Sequence, residues 1–333
     1  MNTTLDSKSW IEGIDKPISA LALGTASFRL ADAQRCFELL DDFRQMGGTV
    51  VDSGRQYGDS EAVIGEWLET RQAREQMVLV TKCAHGANAI LPSVDFEDLV
   101  TRELEQSLEH LRTEAIDLYM LHRDNPAVPV GRIVKRLNQE VARGRVRVLG
   151  ASNWTYERVA EANQYALRNG LQGFAVVSNN LSLAVPAEAF YPRLISTDRA
   201  GEGWHERTGI PLLSWSSQAR GFFTGRYTPA TEHALQGGEV VDPDPFTQRM
   251  VEVYGTRDNL ERLQRARELG EKLGGYSAVQ IALAWLLHKP FPVVPVVGPR
   301  TRDELASCVR ATEVRLTKDQ CQWLSGTAGE GAG

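Results

Sequence analysis

The feature that most constrains this chain is a regular alternation of short apolar runs with longer helical patterns. The runs read ISALAL (18–23), TVVD (49–52), MVLVTK (77–82), IDLYMLH (116–122), VRVLGASN (146–153), FAVVSNN (174–180), PLLSWSS (211–217) and VVPVVG (293–298). Most of them are continuous rather than alternating, which is typical of strands that are buried on both faces. We therefore interpret them as eight parallel strands.

Helical patterns fill most of the intervals between these runs. Within residues 93–112, for example, apolar side chains recur at helical spacing at Phe96, Val100, Leu104, Leu108 and Leu111. The other predicted helices are 31–47, 131–142, 155–168, 258–273, 277–288 and 301–311. Eight strands that alternate with helices predict an α/β fold, a (β/α)8 TIM barrel. A Rossmann sheet requires GxGxxG after an early strand, whereas the first run here ends in LGTASF.

No domain linker or repeat interrupts this pattern, so we expect one domain over residues 1–333 with a barrel core at about 18–312. Two stretches, 184–210 and 226–256, have no regular pattern and are expected to be long loops. Loops of that length inside a compact domain are usually functional. The Gly/Ala-rich residues 326–333 are expected to form a frayed tail.

Composition narrows the class of partner. The chain has 37 basic and 43 acidic residues, a net charge of −6, which disfavours nucleic acid or an anionic membrane as the partner. No apolar run approaches the roughly 20 residues that cross a bilayer, and the first residues lack the pattern of an export signal. The four cysteines form no CxxC pair, and Cys83 with His85 alone would make a poor metal site. These features predict a reduced cytoplasmic protein with a small-molecule ligand and no bound metal.

Chemically active side chains collect at the ends of the predicted strands, where TIM barrels carry their active sites. Asp52, Lys82 and His122 end the second, third and fourth strands, and Tyr57 follows Asp52 in the loop VDSGRQYGDSE. We expect the Lys82 ammonium to lower the pKa of Tyr57 and Asp52 to hold Lys82 in place. A hydrogen bond from His122 would help to polarise a substrate carbonyl, and Tyr57 would protonate its oxygen. The hydride that completes a reduction must then come from a nicotinamide.

Several motifs resemble those of the aldo-keto reductase family. VDSGRQYGDSEAVIGEWL is similar to the family signature DTAxxYGxSExxxGxxL. VLVTK, IDLYMLH, GRVRVLGASN and ALAWLL with VVPVVGPR follow in the family's order, so that the resemblance covers roughly residues 18 to 312. It implies a barrel that binds NADP(H) without a Rossmann fold and interconverts a carbonyl and an alcohol. Asp52, Tyr57, Lys82 and His122 would be the catalytic residues, with Tyr57 as the general acid/base.

The same resemblance implies where the cofactor lies. Ser152 and Asn153 would bind the nicotinamide carboxamide, Trp215 would stack on the ring, and SSQARGFFTGR (216–226) would wrap the diphosphate as SPLAxGxLTGK does in the family. The full predicted set is Gly24, Thr25, Asp52, Ser152, Asn153, Ser178, Trp215, Ser216, Ser217, Gln218, Gly221, Arg226, Gly298, Arg300 and Glu304. NADP(H) is expected to be preferred over NAD(H), because Arg300 can grip the 2′-phosphate.

The chain departs from the family pattern at several positions. Ser178 stands where the family usually has Gln, and Asp52-Ser53-Gly54 replaces DTA. Glu304, Ser307 and Cys308 occupy the usual Q/R-x-x-E-N positions beside the adenine. Together these departures place the chain in a divergent, bacterial-type branch. None of them affects the four catalytic positions.

Aromatic side chains suggest the substrate. Phe28, Trp154 and Trp204 are predicted to line the substrate site with Tyr57 and His122. Such rings could stack on a sugar-derived carbonyl, which we slightly favour, or accept an aromatic aldehyde. Trp204 would cover the substrate from the loop 184–210, with Gly201 and Gly203 as hinges. The alternative function is a nicotinamide-binding regulatory subunit that senses redox state with little turnover.

Overall fold

A closed barrel of eight parallel strands forms the centre of the molecule, as the sequence predicts. The computed structural model describes residues 5, 7–9, 11–85, 95–227 and 244–326. Its strands are β1 (Ser7–Ser9), β2 (Ile18–Ser19), β3 (Ala22–Gly24), β4 (Val50–Asp52), β5 (Val78–Cys83), β6 (Ile116–Leu121), β7 (Val146–Ser152), β8 (Phe174–Ser178), β9 (Leu212–Ser214) and β10 (Val293–Val297). From β3 to β10 each strand pairs with the next, and β10 pairs with β3 to close the ring.

Each helix predicted from the sequence is present. The α-helices are α1 (Ala33–Gln45), α2 (Ser60–Arg71), α3 (Phe96–His110), α4 (Val130–Ala142), α5 (Tyr156–Arg168), α6 (Arg199–Thr208), α7 (Pro245–Tyr254), α8 (Arg257–Lys272), α9 (Ala278–Leu287), α10 (Arg302–Arg310) and α11 (Lys318–Ser325). Short 3-10 turns lie at Leu30–Asp32, Arg74–Gln76, Ala219–Thr224 and Ala311–Glu313. Side-chain caps begin many of the helices, and Ser277 and Thr317 form complete capping boxes. Within the described ranges, every helix is too short or too polar to cross a bilayer.

The first predicted strand, 18–23, is in fact two separate strands. Ile18–Ser19 pairs antiparallel with β1 outside the barrel, and the barrel strand begins only at Ala22. The Ser19 hydroxyl donates to the Leu21 carbonyl at 2.6 Å, and the Ser19 amide donates to Oγ1 of Thr49 at 2.9 Å. These hydrogen bonds tie Ser19 to Leu21, just before β3, and to Thr49, just before β4, at the point where the chain enters the barrel.

The two stretches predicted to be irregular each contain a helix. Asp198 caps α6 by accepting from the Gly201 amide at 2.8 Å, and Gly209 ends the helix with a φ of 69°. Gly201 and Gly203 therefore lie inside a helix, so their predicted role as hinges is wrong. The second stretch contains α7, while its residues 228–243 and the predicted tail beyond residue 326 lie outside the described residues.

The barrel interior is apolar and is closed at the amino ends of the strands. Ile11, Ile14 and Ile18 pack against the inward-facing side chains Val50, Val78, Val80, Leu118, Met120, Val148, Val176, Leu213 and Val294. We call residues 11–18 the barrel floor. Lys16 holds it in place, because its ammonium lies 2.9 Å from the Met77 carbonyl and 3.1 Å from the Asp117 carboxylate. A second apolar cluster fills the space between the barrel and its helices. The opposite rim of the barrel, at the carboxyl ends of the strands, is where the polar side chains lie.

The two glycines of α6 provide a matched test of its packing. A β-carbon at Gly201 would lie 2.3 Å from Cε2 of Tyr156 on α5, whereas one at Gly203 would lie 3.2 Å from the flexible end of Arg207. We expect Gly201→Ala to lower the free energy of unfolding by about 1–3 kcal/mol. Gly203→Ala should raise it by up to about 1 kcal/mol, because alanine favours a helix. Urea unfolding followed by circular dichroism measures both, and equal effects would contradict this packing.

Candidate active site

A buried ion pair lies at the centre of the polar rim. Asp52 is the last residue of β4 and Lys82 the last but one of β5, and the Lys82 ammonium lies 2.6 Å from Oδ1 of Asp52. The same ammonium donates to the Ser53 carbonyl at 2.7 Å. Both residues are nearly inaccessible, at 4% exposure for Asp52 and 2% for Lys82. Burial tends to lower the pKa of Lys82, but the Asp52 carboxylate and Tyr57 raise it further, so the ammonium stays charged.

Tyr57 lies directly above this pair. Its amide donates to the Gly54 carbonyl at 2.9 Å, in the turn between β4 and α2, and its ring centroid is 5.4 Å from the Lys82 ammonium. Burial raises the pKa of Tyr57, and the positive charge of Lys82 offsets only part of that effect. The lowered pKa of Tyr57 that was predicted from the sequence is wrong, because the effect of burial is larger than that of the neighbouring cation. The phenol is therefore protonated at neutral pH.

His122 completes the predicted catalytic group. It follows β6, its amide donates to the Cys83 carbonyl at 2.7 Å, and its ring meets that of Tyr57 edge-on at 5.5 Å between centroids. Burial, followed by the charge of Lys82, holds the pKa of His122 well below its usual value, so the imidazole is neutral. Its Nδ1 is buried and has no hydrogen-bond partner within the described residues. The structure thus brings all four predicted catalytic residues together.

Neighbouring residues were not singled out as functional by the sequence. His85 was weighed only as a metal ligand, yet its ring lies 4.5 Å from that of His122. In the part of the chain that the structure describes, no group of three or more His, Cys, Asp or Glu side chains could hold a metal ion. Arg123 and Arg220 also interact electrostatically with Tyr57. Arg123 directly follows His122, and this position after a strand was the signal that could have revealed it.

The next two strand ends carry the residues predicted to hold the carboxamide. The Ser152 hydroxyl donates to the Ser178 carbonyl at 2.9 Å. The Asn153 side chain bridges two backbone groups, donating to the His122 carbonyl at 3.3 Å and accepting from the Ile195 amide at 3.1 Å. Asn153 therefore fixes the local backbone in this structure. The Ser178 hydroxyl is buried and has no hydrogen-bond partner among the described residues.

Trp215 and the segment after it form a concave stretch of backbone. The Trp215 indole is half-buried and donates from Nε1 to the Ser178 carbonyl at 3.1 Å. Within 216–226 the backbone turns repeatedly into the left-handed region, with positive φ at Ser216 (48°), Ala219 (47°), Arg220 (53°), Gly221 (91°) and Gly225 (78°). Such turns make successive amides converge into anion-binding nests, and for residues other than glycine they carry strain. Strain of this kind is commonly found at binding sites.

The region predicted to meet the adenosine phosphate lies at the start of α10. Thr301 caps this helix by accepting from the Glu304 amide at 3.2 Å, and the Glu304 carboxylate accepts from the Arg300 amide at 2.6 Å. Arg302 pairs with Asp42 at 2.6 Å, whereas the Arg300 side chain is exposed. The Glu304 carboxylate thus accepts a hydrogen bond from a backbone amide at the start of α10, and a bound phosphate would compete for the same amide.

Other predicted cofactor residues support the framework around the site. A β-carbon at Gly24 would lie 2.8 Å from Cγ1 of Val296, so glycine is needed for the close packing of β3 and β10. The fully buried Thr25 hydroxyl donates to the Asp52 carbonyl at 2.9 Å and contacts Oγ of Ser60 at 2.6 Å. The Ser217 hydroxyl donates to the Val296 carbonyl at 2.7 Å. These contacts position Asp52 and the start of the segment 216–226.

Nearby, the Gln218 amide contacts the Cys308 thiol at 3.4 Å, which joins that segment to α10. Gly298 and Arg226 are both exposed.

The aromatic residues predicted to meet the substrate lie elsewhere. Trp154 is fully buried with its ring edge-on to Phe174 at 5.1 Å, and Phe28 is only 2% exposed. Neither presents an open face, which contradicts their predicted stacking role. Trp204 packs against Tyr156 at 5.0 Å and lines a groove between the starts of α5 and α6, and none of the four catalytic residues borders that groove. These three residues were predicted to lie at the rim because they follow strands or lie in a loop. A side chain at such a position can face either the core or solvent, and the sequence does not distinguish the two.

Comparison with known proteins points to one family. A model of the aldo/keto reductase family matches residues 20–326. Norsolorinic acid reductase stcV of Emericella nidulans is 30% identical over 329 residues, which cover 93% of this chain and 78% of that protein. The aryl-alcohol dehydrogenase (NADP(+)) of Phanerodontia chrysosporium is 28% identical over 89% of this chain and 76% of its own. A thermostable aldo-keto reductase crystallised with the inhibitor epalrestat has the same fold, with a TM-score of 0.69 at 21% identity, covering 96% of this chain and 98% of that one.

The buried ion pair makes a testable contribution to stability. Lys82→Met leaves the Asp52 carboxylate buried without its counter-charge, and we expect the free energy of unfolding at pH 7 to fall by about 3–5 kcal/mol. Burial raises the pKa of Asp52 above that of the unfolded chain, so this deficit should shrink as the pH falls towards the raised value. The double variant Asp52→Asn/Lys82→Met removes both charges and should be more stable than Lys82→Met. Urea unfolding at pH 7 and pH 5 tests the order, and a double variant no more stable than the single one would contradict it.

Proposed function

The chain belongs to the aldo-keto reductase family, and from that membership we propose that it is an NADP(H)-dependent oxidoreductase that interconverts a carbonyl and the corresponding alcohol. The observation that carries this proposal is the juxtaposition of the buried Lys82–Asp52 ion pair, the protonated Tyr57 and the neutral His122 at one end of the barrel. A barrel can carry many chemistries, so the argument rests on this group of side chains rather than on the fold.

Tyr57 is the proton donor in this proposal. Because its phenol is protonated at neutral pH, it can give its proton to the substrate oxygen as negative charge develops there. The Lys82 ammonium, 5.4 Å from the ring centroid, then stabilises the phenolate that remains. Asp52 keeps that ammonium charged and oriented. In the alcohol-to-carbonyl direction, the phenolate takes the proton back.

His122 acts as a hydrogen-bond donor to the same oxygen. A neutral imidazole carries one N–H and presents no full positive charge. It therefore polarises the carbonyl without competing with Tyr57 as an acid. The edge-on contact of the two rings, at 5.5 Å between centroids, supports this role, because donors on adjacent rings can reach the same substrate oxygen.

The residues around this position suit a nicotinamide cofactor. The buried, unpartnered Ser178 hydroxyl is available to the carboxamide, and Trp215 is anchored beside it by its hydrogen bond to the Ser178 carbonyl. The nest-like backbone of 216–226 suits a diphosphate. When bound, NADP(H) supplies the hydride that no side chain can provide.

The relatives favour one of the two substrate classes suggested by the sequence. One of them is named for aryl alcohols, and its name specifies NADP(+). The rings that suggested both classes from the sequence are buried in the core or lie at another groove, so the choice between the classes rests on this relative. We therefore propose aromatic aldehydes as the first substrates to test, ahead of sugar-derived carbonyls.

The preference for NADP(H) is assigned to Arg300. Its exposed guanidinium stands at the start of α10, where it can form charge-assisted, bidentate hydrogen bonds with a 2′-phosphate. Arg35 adds a second cation, since it donates to the Arg300 carbonyl at 3.2 Å. Glu304 opposes both, because its carboxylate is bound to the Arg300 amide.

Replacing the proposed proton donor tests the mechanism. Tyr57→Phe keeps the ring and removes the hydroxyl, so kcat should fall by at least about a hundredfold. The Kd for NADPH should stay nearly the same. Steady-state NADPH oxidation with benzaldehyde measures kcat, and fluorescence titration measures the Kd. Near-normal turnover of the variant would show that Tyr57 is not the proton donor. A wild-type protein that binds NADPH but reduces no carbonyl would favour the regulatory alternative.

A pair of variants tests the cofactor preference. Arg300→Ala removes a charged hydrogen-bond partner of the phosphate and should weaken NADPH binding by about tenfold to a hundredfold, with NADH nearly unaffected. Glu304→Gln removes the opposing charge and should tighten NADPH binding selectively. Calorimetric titration with both cofactors checks this. Equal weakening of both by Arg300→Ala would show that Arg300 does not read the phosphate.

A further inference from the structure

Three arginine side chains, Arg123, Arg193 and Arg220, lie around the stretch 190–193, and we call them the arginine cluster. Arg123 and Arg220 also interact electrostatically with Tyr57. The three arginines come from three different connections of the barrel rim: Arg123 follows His122, Arg193 precedes α6, and Arg220 lies in the strained segment after β9. They converge on the stretch 190–193.

The contacts of the cluster with that stretch define its position. The Arg220 guanidinium lies 4.2 Å from the ring centroid of Phe190 and 5.4 Å from that of Tyr191. Arg123 donates to the Pro192 carbonyl at 3.0 Å, and Arg193 donates to the Asp124 carbonyl at 2.5 Å.

Within the described residues, no carboxylate forms a salt bridge with a member of the cluster. The two nearby acids in the sequence already have other partners: Asp124 pairs with Arg158 at 3.2 Å, and Glu188 pairs with Arg249 at 2.6 Å. Arg123 and Arg220 are only partly exposed, and the Nε of each is buried without a hydrogen-bond partner among these residues. The hydrogen-bonding capacity of these two guanidinium groups is therefore only partly filled by the described residues.

Such an arrangement is unfavourable for the free protein. Burial lowers the pKa of Arg220, and burial followed by the nearby charge of Arg193 lowers that of Arg123. Half-buried like charges without counter-ions cost free energy, which an anion bound between them would recover. The aromatic rings beneath Arg220 hold its guanidinium plane and leave the N–H edge available.

We propose that the arginine cluster binds a negatively charged oxygen group of the substrate, such as a carboxylate or sulfonate, so that the preferred substrates are acidic aldehydes or ketones. This inference rests on the proposed reductase function, because it places the anion beside the carbonyl that Tyr57 protonates. A guanidinium matches the two oxygens of a carboxylate with two parallel hydrogen bonds, which would fix the carbonyl's distance and orientation as well as add affinity.

Two substrates of the same shape and different charge test the proposal. 4-Carboxybenzaldehyde and 4-formylbenzamide differ in one substituent, a carboxylate against a neutral carboxamide. We expect kcat/KM for NADPH-dependent reduction to be at least about tenfold higher for the carboxylate, with the ratio falling as salt is added. 4-Formylbenzenesulfonate, compared in the same assay, shows whether the cluster favours a carboxylate or a sulfonate. Equal kcat/KM values for the carboxylate and the amide would overturn the proposal.

Variants locate the effect. In Arg220→Met, which keeps the apolar stem, the ratio of the two kcat/KM values should fall by about tenfold or more, mainly through KM for the carboxylate. Arg257→Met is the matched control, because that side chain is 91% exposed on α8, and it should leave the ratio unchanged. If Arg220→Met instead weakens NADPH binding and leaves the ratio unaltered, Arg220 belongs to the cofactor site and the proposal fails.

A binding experiment separates this proposal from the reductase function. If none of the aldehydes is reduced, the proposed function fails, and calorimetric titration with benzoate and benzamide still tests the cluster. Benzoate should bind at least about tenfold more tightly than benzamide, and Arg220→Met should abolish that difference. Equal binding of the two compounds would overturn the cluster as an anion site.

Discussion

The buried ion pair between Lys82 and Asp52 is the interaction on which the rest of the site depends. Two charges at 2% and 4% exposure are tolerable only while they stay 2.6 Å apart, so the register of β4 against β5 is fixed at the point where the strands end. The same register sets the turn that carries Tyr57, since the Arg55 amide donates to the Lys82 carbonyl at 2.9 Å. The contacts of Lys82 therefore hold both the strand register and the turn that carries the proposed proton donor.

Low polarity around this pair divides the site into two electrostatic regions. Near the strand ends, burial keeps the Tyr57 phenol protonated and the His122 imidazole neutral, while the single cation Lys82 is balanced by Asp52. At the rim, no carboxylate of the described residues forms a salt bridge with the arginine cluster, and Asp124, which acts on Arg193 at longer range, is paired with Arg158. We interpret the first region as the one that serves the proposed chemistry and the second as the one that selects the substrate. The two regions meet at Tyr57, which interacts with Lys82 on one side and with Arg123 and Arg220 on the other.

The sequence predicted the parts of this arrangement that follow from periodicity. Continuous apolar runs indicated strands buried on both faces, and because parallel strands end at one rim, Asp52, Lys82 and His122 had to meet. Properties that depend on burial could not be predicted from the sequence. The raised pKa of Tyr57 and the core position of Trp154 follow from neighbours that are distant in sequence. Helix α6 was missed because RAGEGWHERT has two glycines and no broad apolar stripe. Its local signals were the cap Asp198 and the terminating Gly209.

The barrel floor has a consequence for how the protein is made. Residues 11–18 precede every barrel strand in the chain, yet Ile11, Ile14 and Ile18 pack on side chains from strands as late as β10. During synthesis this segment leaves the ribosome before any barrel strand and finds its full set of partners only after residue 297 has emerged. Its apolar side chains therefore lack their native partners for most of translation, and transiently exposed apolar surface of this kind promotes aggregation. The barrel floor is thus synthesised before the barrel strands, but it is fully packed only after the last of them has formed.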